Sequence, residues 1–252
     1  MRPLLFSLLA FAAVFLAPIP SAAKEPAPWC APGIEALPGD VCYLDGETSQ
    51  GPRRTLVVFL HGAVAKGTTW QWNHMRGLAR LAKGNHVDVL FPRSPLADVG
   101  YVWPGSLRAQ EVVEQALIDE WTNAKRVLEQ RAGRYDEVFV MGFSSGAYFV
   151  SSLATRGRMD VDGYAVFAGG QAMGPRATPV ERWSPVFVGV CSQDEGSAGH
   201  SRAFGAALAA YGIPRAVMEQ PVGHGLSHVH FGSALRYLRR ANANKRPPLA
   251  SR

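Results

Sequence analysis

The sequence predicts an α/β fold, with a mostly parallel central sheet and helices on both faces. Three observations predict it. Short, continuously apolar runs alternate along the chain with longer segments of 3.6-residue apolar period, the pattern of strands joined by covering helices. The runs are apolar at nearly every position, as strands buried on both faces must be. The chain has 252 residues, 47% of them hydrophobic and 18% charged. With the termini set aside, roughly 200–230 residues remain, which suits one large domain. The same composition excludes collagen-like, coiled-coil and wholly disordered chains.

Residues 1–23 have the pattern of a secretory signal peptide. Arg2 is the positive end, Leu4 to Leu16 is apolar apart from Ser7, and Pro18 and Pro20 precede Ser21-Ala22-Ala23. Small residues there suit cleavage before Lys24. The apolar run is short for a membrane span of ~20 residues. The expected location is therefore secreted or periplasmic, not integral to a membrane. Residues 24–54 form an N-terminal arm. An oxidising compartment would let Cys30 and Cys42 close a small Pro/Gly-rich loop that tacks the arm down. That pairing is preferred over a bond from Cys191 to either.

Thr55 to Leu60 is the first buried strand, followed by a helix from about Thr69 to Lys83. Val87 to Phe91 is the next strand, stopped at Pro92. Ser106 to Gln130 is a long amphipathic helix, with Val113, Leu117, Trp121, Ala124 and Leu128 on its apolar face. Glu137 to Gly142 is a strand and Ser144 to Thr155 a helix. Strands follow at Gly163 to Ala168 and Val186 to Cys191, then a helix from Ala198 to Tyr211 that Gly212 and Pro214 end. Ala216 to Gln220 is the last strand and Ser227 to Ala241 the closing helix. One or two further strands are expected within 34–50. Residues 55–241 thus form the main domain, and 242–252 a basic, solvated tail. The net charge is +6, but Lys and Arg are scattered and no nucleic-acid motif accompanies them.

The chemistry centres on Gly142-Phe143-Ser144-Ser145-Gly146, a G-x-S-x-G between a strand and a helix. The turn is too tight for side chains at Gly142 and Gly146, near the serine. It exposes Ser144 as a nucleophile, and the N–H of Ser145 can meet a developing oxyanion. A serine hydroxyl needs a base. His224 lies in Gly223-His224-Gly225, directly after the last strand; His228 and His230 are its rivals. An acid must hold the imidazole's tautomer. Asp194 follows the strand ending at Cys191, with Glu195 as its neighbour and rival. The second oxyanion donor is the N–H of Ala63, or of Val64, after Leu60-His61-Gly62. His61 itself is expected to hydrogen-bond within that turn.

On these residues the chain resembles the α/β-hydrolase superfamily, from about Thr55 to Tyr237. Within it the chain looks most like secreted esterases of the polyhydroxybutyrate-depolymerase, feruloyl-esterase and small carboxylesterase kind. The resemblance implies acyl transfer to water through a serine ester, with no metal and no organic cofactor. It implies an ester substrate, small-molecule or polymer, and no nucleic-acid partner. Loops at the carboxyl ends of the strands should shape the site. Trp70, Trp103 and Trp183 are the expected substrate contacts, with Trp72, Tyr101, Val102 and Met173 near them. No inserted cap domain is evident, so the site should be open. Two alternatives stand beside the esterase: a serine peptidase on the same fold, and a catalytically inactive binding protein.

Overall fold

The computed structural model describes residues 28–51, 53–172 and 183–243. The expected signal segment, Met173 and most of the basic tail lie outside these residues.

Eight strands form the main sheet. They are β1 (Glu35–Leu37), β2 (Val41–Leu44), β3 (Thr55–Leu60), β5 (Val87–Pro92), β8 (Glu137–Phe143), β9 (Gly163–Phe167), β10 (Val186–Cys191) and β11 (Arg215–Gln220), in the order β1-β2-β5-β3-β8-β9-β10-β11. Strands β5, β3, β8, β9, β10 and β11 are mutually parallel. Only β1 and β2 run antiparallel to their neighbours. The arm is therefore not separate from the domain: residues 35–44 extend the same sheet. A second, three-stranded antiparallel sheet joins β4 (Val64–Ala65), β7 (Gly100–Tyr101) and β6 (Leu96–Ala97).

Among the described residues five α-helices cover the sheet: α1 (Trp70–Asn85), α2 (Leu107–Ala132), α3 (Ser145–Arg156), α4 (Ala198–Ala210) and α5 (His228–Ala243). Period-2 alternation divides the strands between two cores. On β3, Leu56, Val58 and Leu60 pack with α2, α3 and α4, through Trp121, Phe149 and Phe204. Val57 and Phe59 face the opposite side, with Met75 and Leu78 of α1 and Phe231 and Leu235 of α5. Burial on both faces explains why the strands carry apolar residues at successive positions. Ser106 starts α2 by accepting a hydrogen bond from Ala109 N–H, and Ser227 Oγ accepts from Val229 and His230 N–H at the start of α5.

From β3 the chain moves outward to β5, and returns to the other side of β3 through β8. The switch point therefore lies between β3 and β8, where open α/β sheets place their ligands, at the carboxyl ends.

Cys30 and Cys42 are bonded, with Cα atoms 5.5 Å apart. The bridge ties the N-terminal segment to β2, while Trp72 Nε1–H donates to Pro28 O and Gln71 Nε2–H to Trp29 O. Cys191 is free and buried at the end of β10. Arg239 of α5 reaches Glu137 and Thr55 at the amino end of the sheet. Removing the bridge with Cys30→Ala/Cys42→Ala is expected to lower unfolding stability by about 3 kcal/mol. Denaturant titration of the oxidised protein and the variant measures the difference; equal midpoints and slopes would contradict it.

Candidate functional site

β8 ends at Phe143, and the backbone of Ser144 then adopts φ 52°, ψ −119° before α3 begins. This left-handed region is strained for a residue with a Cβ, at a cost of about 1–3 kcal/mol. Close contacts hold it there. A Cβ on Gly142 would collide with the carbonyl of Gly146, and one on Gly146 with the carbonyls of Leu60 and His61. Gly146 N–H donates to His61 O at 3.1 Å, and Ser144 N–H to Phe167 O at 3.0 Å. The turn is thus pressed against the ends of β3 and β9.

The structure brings Ser144, His224 and Asp194 together from three separate loops. Ser144 Oγ lies 2.9 Å from His224 Nε2. His224 Nδ1 lies 2.6 Å from Asp194 Oδ2. Asp194 follows β10 in a turn closed by Asp194 N–H to Cys191 O and Ala198 N–H to Asp194 O. Burial alone would raise its carboxyl. Hydrogen bonds from Ser197 Oγ, His224 Nδ1–H and Gly196 N–H outweigh that and hold it below the usual aspartate range. An ionised Asp194 fixes the tautomer with the proton on Nδ1, leaving Nε2 free to accept from Ser144.

The rivals fall elsewhere. Glu195 is exposed. His230 is fully buried, its ring beside Phe167. His228 is exposed at the first turn of α5.

His61 organises the turn after β3. Its Nε2 accepts from Ser94 N–H at 3.2 Å, so Nδ1 carries the proton and donates to Gly62 O. Among the described residues no peptide bond is cis. In a trans peptide the N–H points opposite to the C=O. Clamping Gly62 O therefore aims the N–H of Ala63 away from His61. Trp103 Nε1–H donates to His61 O at 2.9 Å, and the Trp103 N–H donates to Ser145 Oγ at 3.0 Å. Directly after Ala63, Val64 pairs with Tyr101, which anchors the exit of the turn. Among the described residues, neither Ala63 N–H nor Ser145 N–H is spent on another group of the chain.

The three tryptophans take different places. Trp70 is 41% exposed at the start of α1, its ring 3.7 Å from that of His74. Trp103 is 2% exposed and packs on Trp121 and Phe149. It holds the turn from behind rather than lining an open site. Trp183 precedes β10, at the amino end of the sheet. A six-residue strand spans about 20 Å, so Trp183 stands far from Ser144 and packs on the α2–α4 core. The expected contacts at Trp103 and Trp183 are thus corrected. A lone tryptophan in a sequence does not reveal which end of a strand it adjoins, and most pack as core.

His74 was not expected at the site. It lies one turn after Trp70, 5.7 Å from the ring of Phe143, which in turn is 5.0 Å from His224. Its i+4 spacing from Trp70 was the available signal. Tyr148 and His200 were also not expected. Their side chains meet at 2.6 Å on the other side of the elbow.

No family model matches the chain, and no curated protein matches it in sequence. Solved structures do match. A carboxylesterase from Mesorhizobium loti is 19% identical, with a TM-score of 0.60 over 79% of this chain and 93% of its own. The Bacillus cereus carboxylesterase is 15% identical, with a TM-score of 0.57 over 80% and 93%. Esterase PE8 is 18% identical, with a TM-score of 0.56 over 82% and 98%. At these identities the likeness establishes the fold, and the chain has the α/β-hydrolase fold, with no large cap among the described residues.

Burial pushes His61 from its ordinary 6.5 down to about 4. The unfolded chain therefore binds a proton between these values that the folded chain refuses. Stability from this residue is full above pH 6.5 and is lost as pH falls towards 4. The loss between pH 7 and pH 5 is expected to be about 2 kcal/mol. His61→Asn should reduce the drop in Tm over that range; an unchanged pH dependence would show that His61 is not the group responsible.

Proposed function

We propose that the protein hydrolyses carboxylic esters through an acyl-enzyme on Ser144. The observation that carries this is the continuous hydrogen-bonded relay from Ser144 Oγ through His224 to Asp194. In the proposed mechanism His224 Nε2 takes the hydroxyl proton as Ser144 Oγ attacks the ester carbonyl. Asp194 stabilises the imidazolium. The N–H groups of Ser145 and Ala63 receive the negative charge of the tetrahedral intermediate, where fixed donors are worth most. His224 then protonates the departing alcohol. A water, deprotonated by the same imidazole, releases the acid and restores Ser144. Every atom in this cycle comes from side chain, backbone, ester or water.

The ester class is supported by the solved structures of the same fold, which include carboxylesterases and an esterase. An inactive binding protein would be favoured by a separated serine and histidine, and 2.9 Å between Ser144 and His224 gives that alternative no support. We further propose that residues 55–241 act as the catalytic domain and that the protein works outside the cytoplasm. The Cys30–Cys42 bond supports an oxidising compartment. Among the described residues, no helix is long and apolar enough to cross a membrane.

The test is hydrolysis of p-nitrophenyl acetate, butyrate and octanoate by the protein and by Ser144→Ala. Loss of the nucleophile is expected to lower kcat by at least about a thousandfold. Equal rates for the two proteins would remove the serine mechanism, and no hydrolysis of any ester would remove the general esterase.

A further inference from the structure

Beside the triad, on the α1–α5 face of the sheet, lies an open pocket of about 350 Å³, lined by Asn73, His74, Gly77, Arg80, Leu226 and His228. Leu226 stands two residues after His224 on the same loop. His74 connects the pocket to the site, because its ring touches Phe143, whose ring in turn lies beside His224. Phe143 is the residue before Ser144. A path of ring contacts thus leads from the pocket to the residue before Ser144 and to His224.

The charge around the pocket is one-sided. Neither α1 nor α5 contains an Asp or Glu. Arg80 is exposed at the rim and, among the described residues, has neither a salt bridge nor a hydrogen bond. Among the described residues Arg76 bonds only the neutral Asn73, and Arg236 only the neutral Ser233. Lys83 of α1 and Arg239 of α5 are paired with Glu47 and Glu137. Burial, and secondarily His224, push His74 down to about 4, so it faces the pocket as a neutral imidazole. The fixed positive charge is that of Arg80. Its planar fork matches a carboxylate, with His228 and Asn73 as further polar contacts. Leu78 and Leu81 add apolar wall for an aliphatic or aromatic spacer. A concave pocket of this size admits a small charged group, not a polymer backbone.

We propose that this pocket binds an anionic group of the substrate, so that the preferred ester carries a carboxylate. This rests on the esterase mechanism proposed above. It adds a specificity determinant, Arg80, and a substrate class, the ester of a carboxylate-bearing acid or alcohol.

Two matched pairs of esters test it. p-Nitrophenyl hydrogen glutarate against p-nitrophenyl pentanoate places the charge on the acyl side. 4-Acetoxybenzoate against phenyl acetate places it on the alcohol side. With rates normalised to hydroxide hydrolysis, kcat/KM should favour the charged ester about tenfold in at least one pair, mainly through KM. The preference should weaken as salt rises, fall to near parity in Arg80→Gln and reverse in Arg80→Glu. Parity in both pairs for the unaltered protein, or a preference that survives Arg80→Gln, overturns the proposal. Hydrolysis of the neutral esters in that case leaves the esterase mechanism standing. Calorimetric titration of Ser144→Ala protein with glutarate reads the pocket without turnover. Binding that disappears in Ser144→Ala/Arg80→Gln supports the pocket even if no ester is cleaved, whereas no binding counts against it.

Discussion

The site depends on one steric constraint: three backbone segments must touch at the carboxyl end of the sheet. Gly142 lets the end of β8 meet the first turn of α3. Gly146 lets that turn rest on the carbonyls of Leu60 and His61. Only with both contacts made does Ser144 hold its left-handed backbone and reach His224. A methyl group at either glycine would push the elbow off β3 and misplace the Ser144 hydroxyl. The strain at Ser144 is small beside the burial of α3, whose Phe149, Val150 and Leu153 are fully enclosed. The helix is anchored a second time by Arg156, which bonds Ser152 and pairs with Glu114 of α2. The cores on either side of the sheet thus provide the rigidity that the turn consumes.

The same contacts join the elbow to the turn after β3. His61 O accepts from both Gly146 N–H and Trp103 Nε1–H, and the His61 ring clamps Gly62 O. Trp29 lies against this ring with centroids 4.9 Å apart, and its neighbour Cys30 is bonded to Cys42 on β2. The disulfide therefore does more than tie down an arm. It keeps an aromatic wall behind the imidazole that orients the Ala63 peptide. Burial keeps that imidazole neutral, and the Ser94 N–H on its Nε2 sets the tautomer required for the clamp. Stability and alignment of the site run through the same residue.

Much of this was legible in the sequence because the relevant signals are local. A strand buried on both faces must be apolar throughout, so Thr55–Leu60 and Val186–Cys191 have the bounds expected of them. Gly142-Phe143-Ser144-Ser145-Gly146 marks its own turn, because only glycines permit the close approaches described above. Histidine and aspartate after successive strands fall at the sheet's carboxyl edge by topology alone. The remainder depends on distance. The two-residue strands β4, β6 and β7 are too short for any periodicity. Trp103 and Trp183 carry the same composition signal as Trp70, yet one supports the turn from within and another lies at the far end of β10. Arg239 pairs with Glu137 more than a hundred positions earlier, a contact no local pattern reveals. His74 came to the site only through the packing of α1 beside α5.

The central claim is that Ser144 is a nucleophile activated by His224. Intact-mass measurement after exposure to a fluorophosphonate tests it most directly, without assuming a substrate. The account expects one adduct per chain, mapped to Ser144, absent in Ser144→Ala and formed at least about a hundredfold more slowly in His224→Ala. No adduct on the folded protein, or an adduct on another residue, would contradict it.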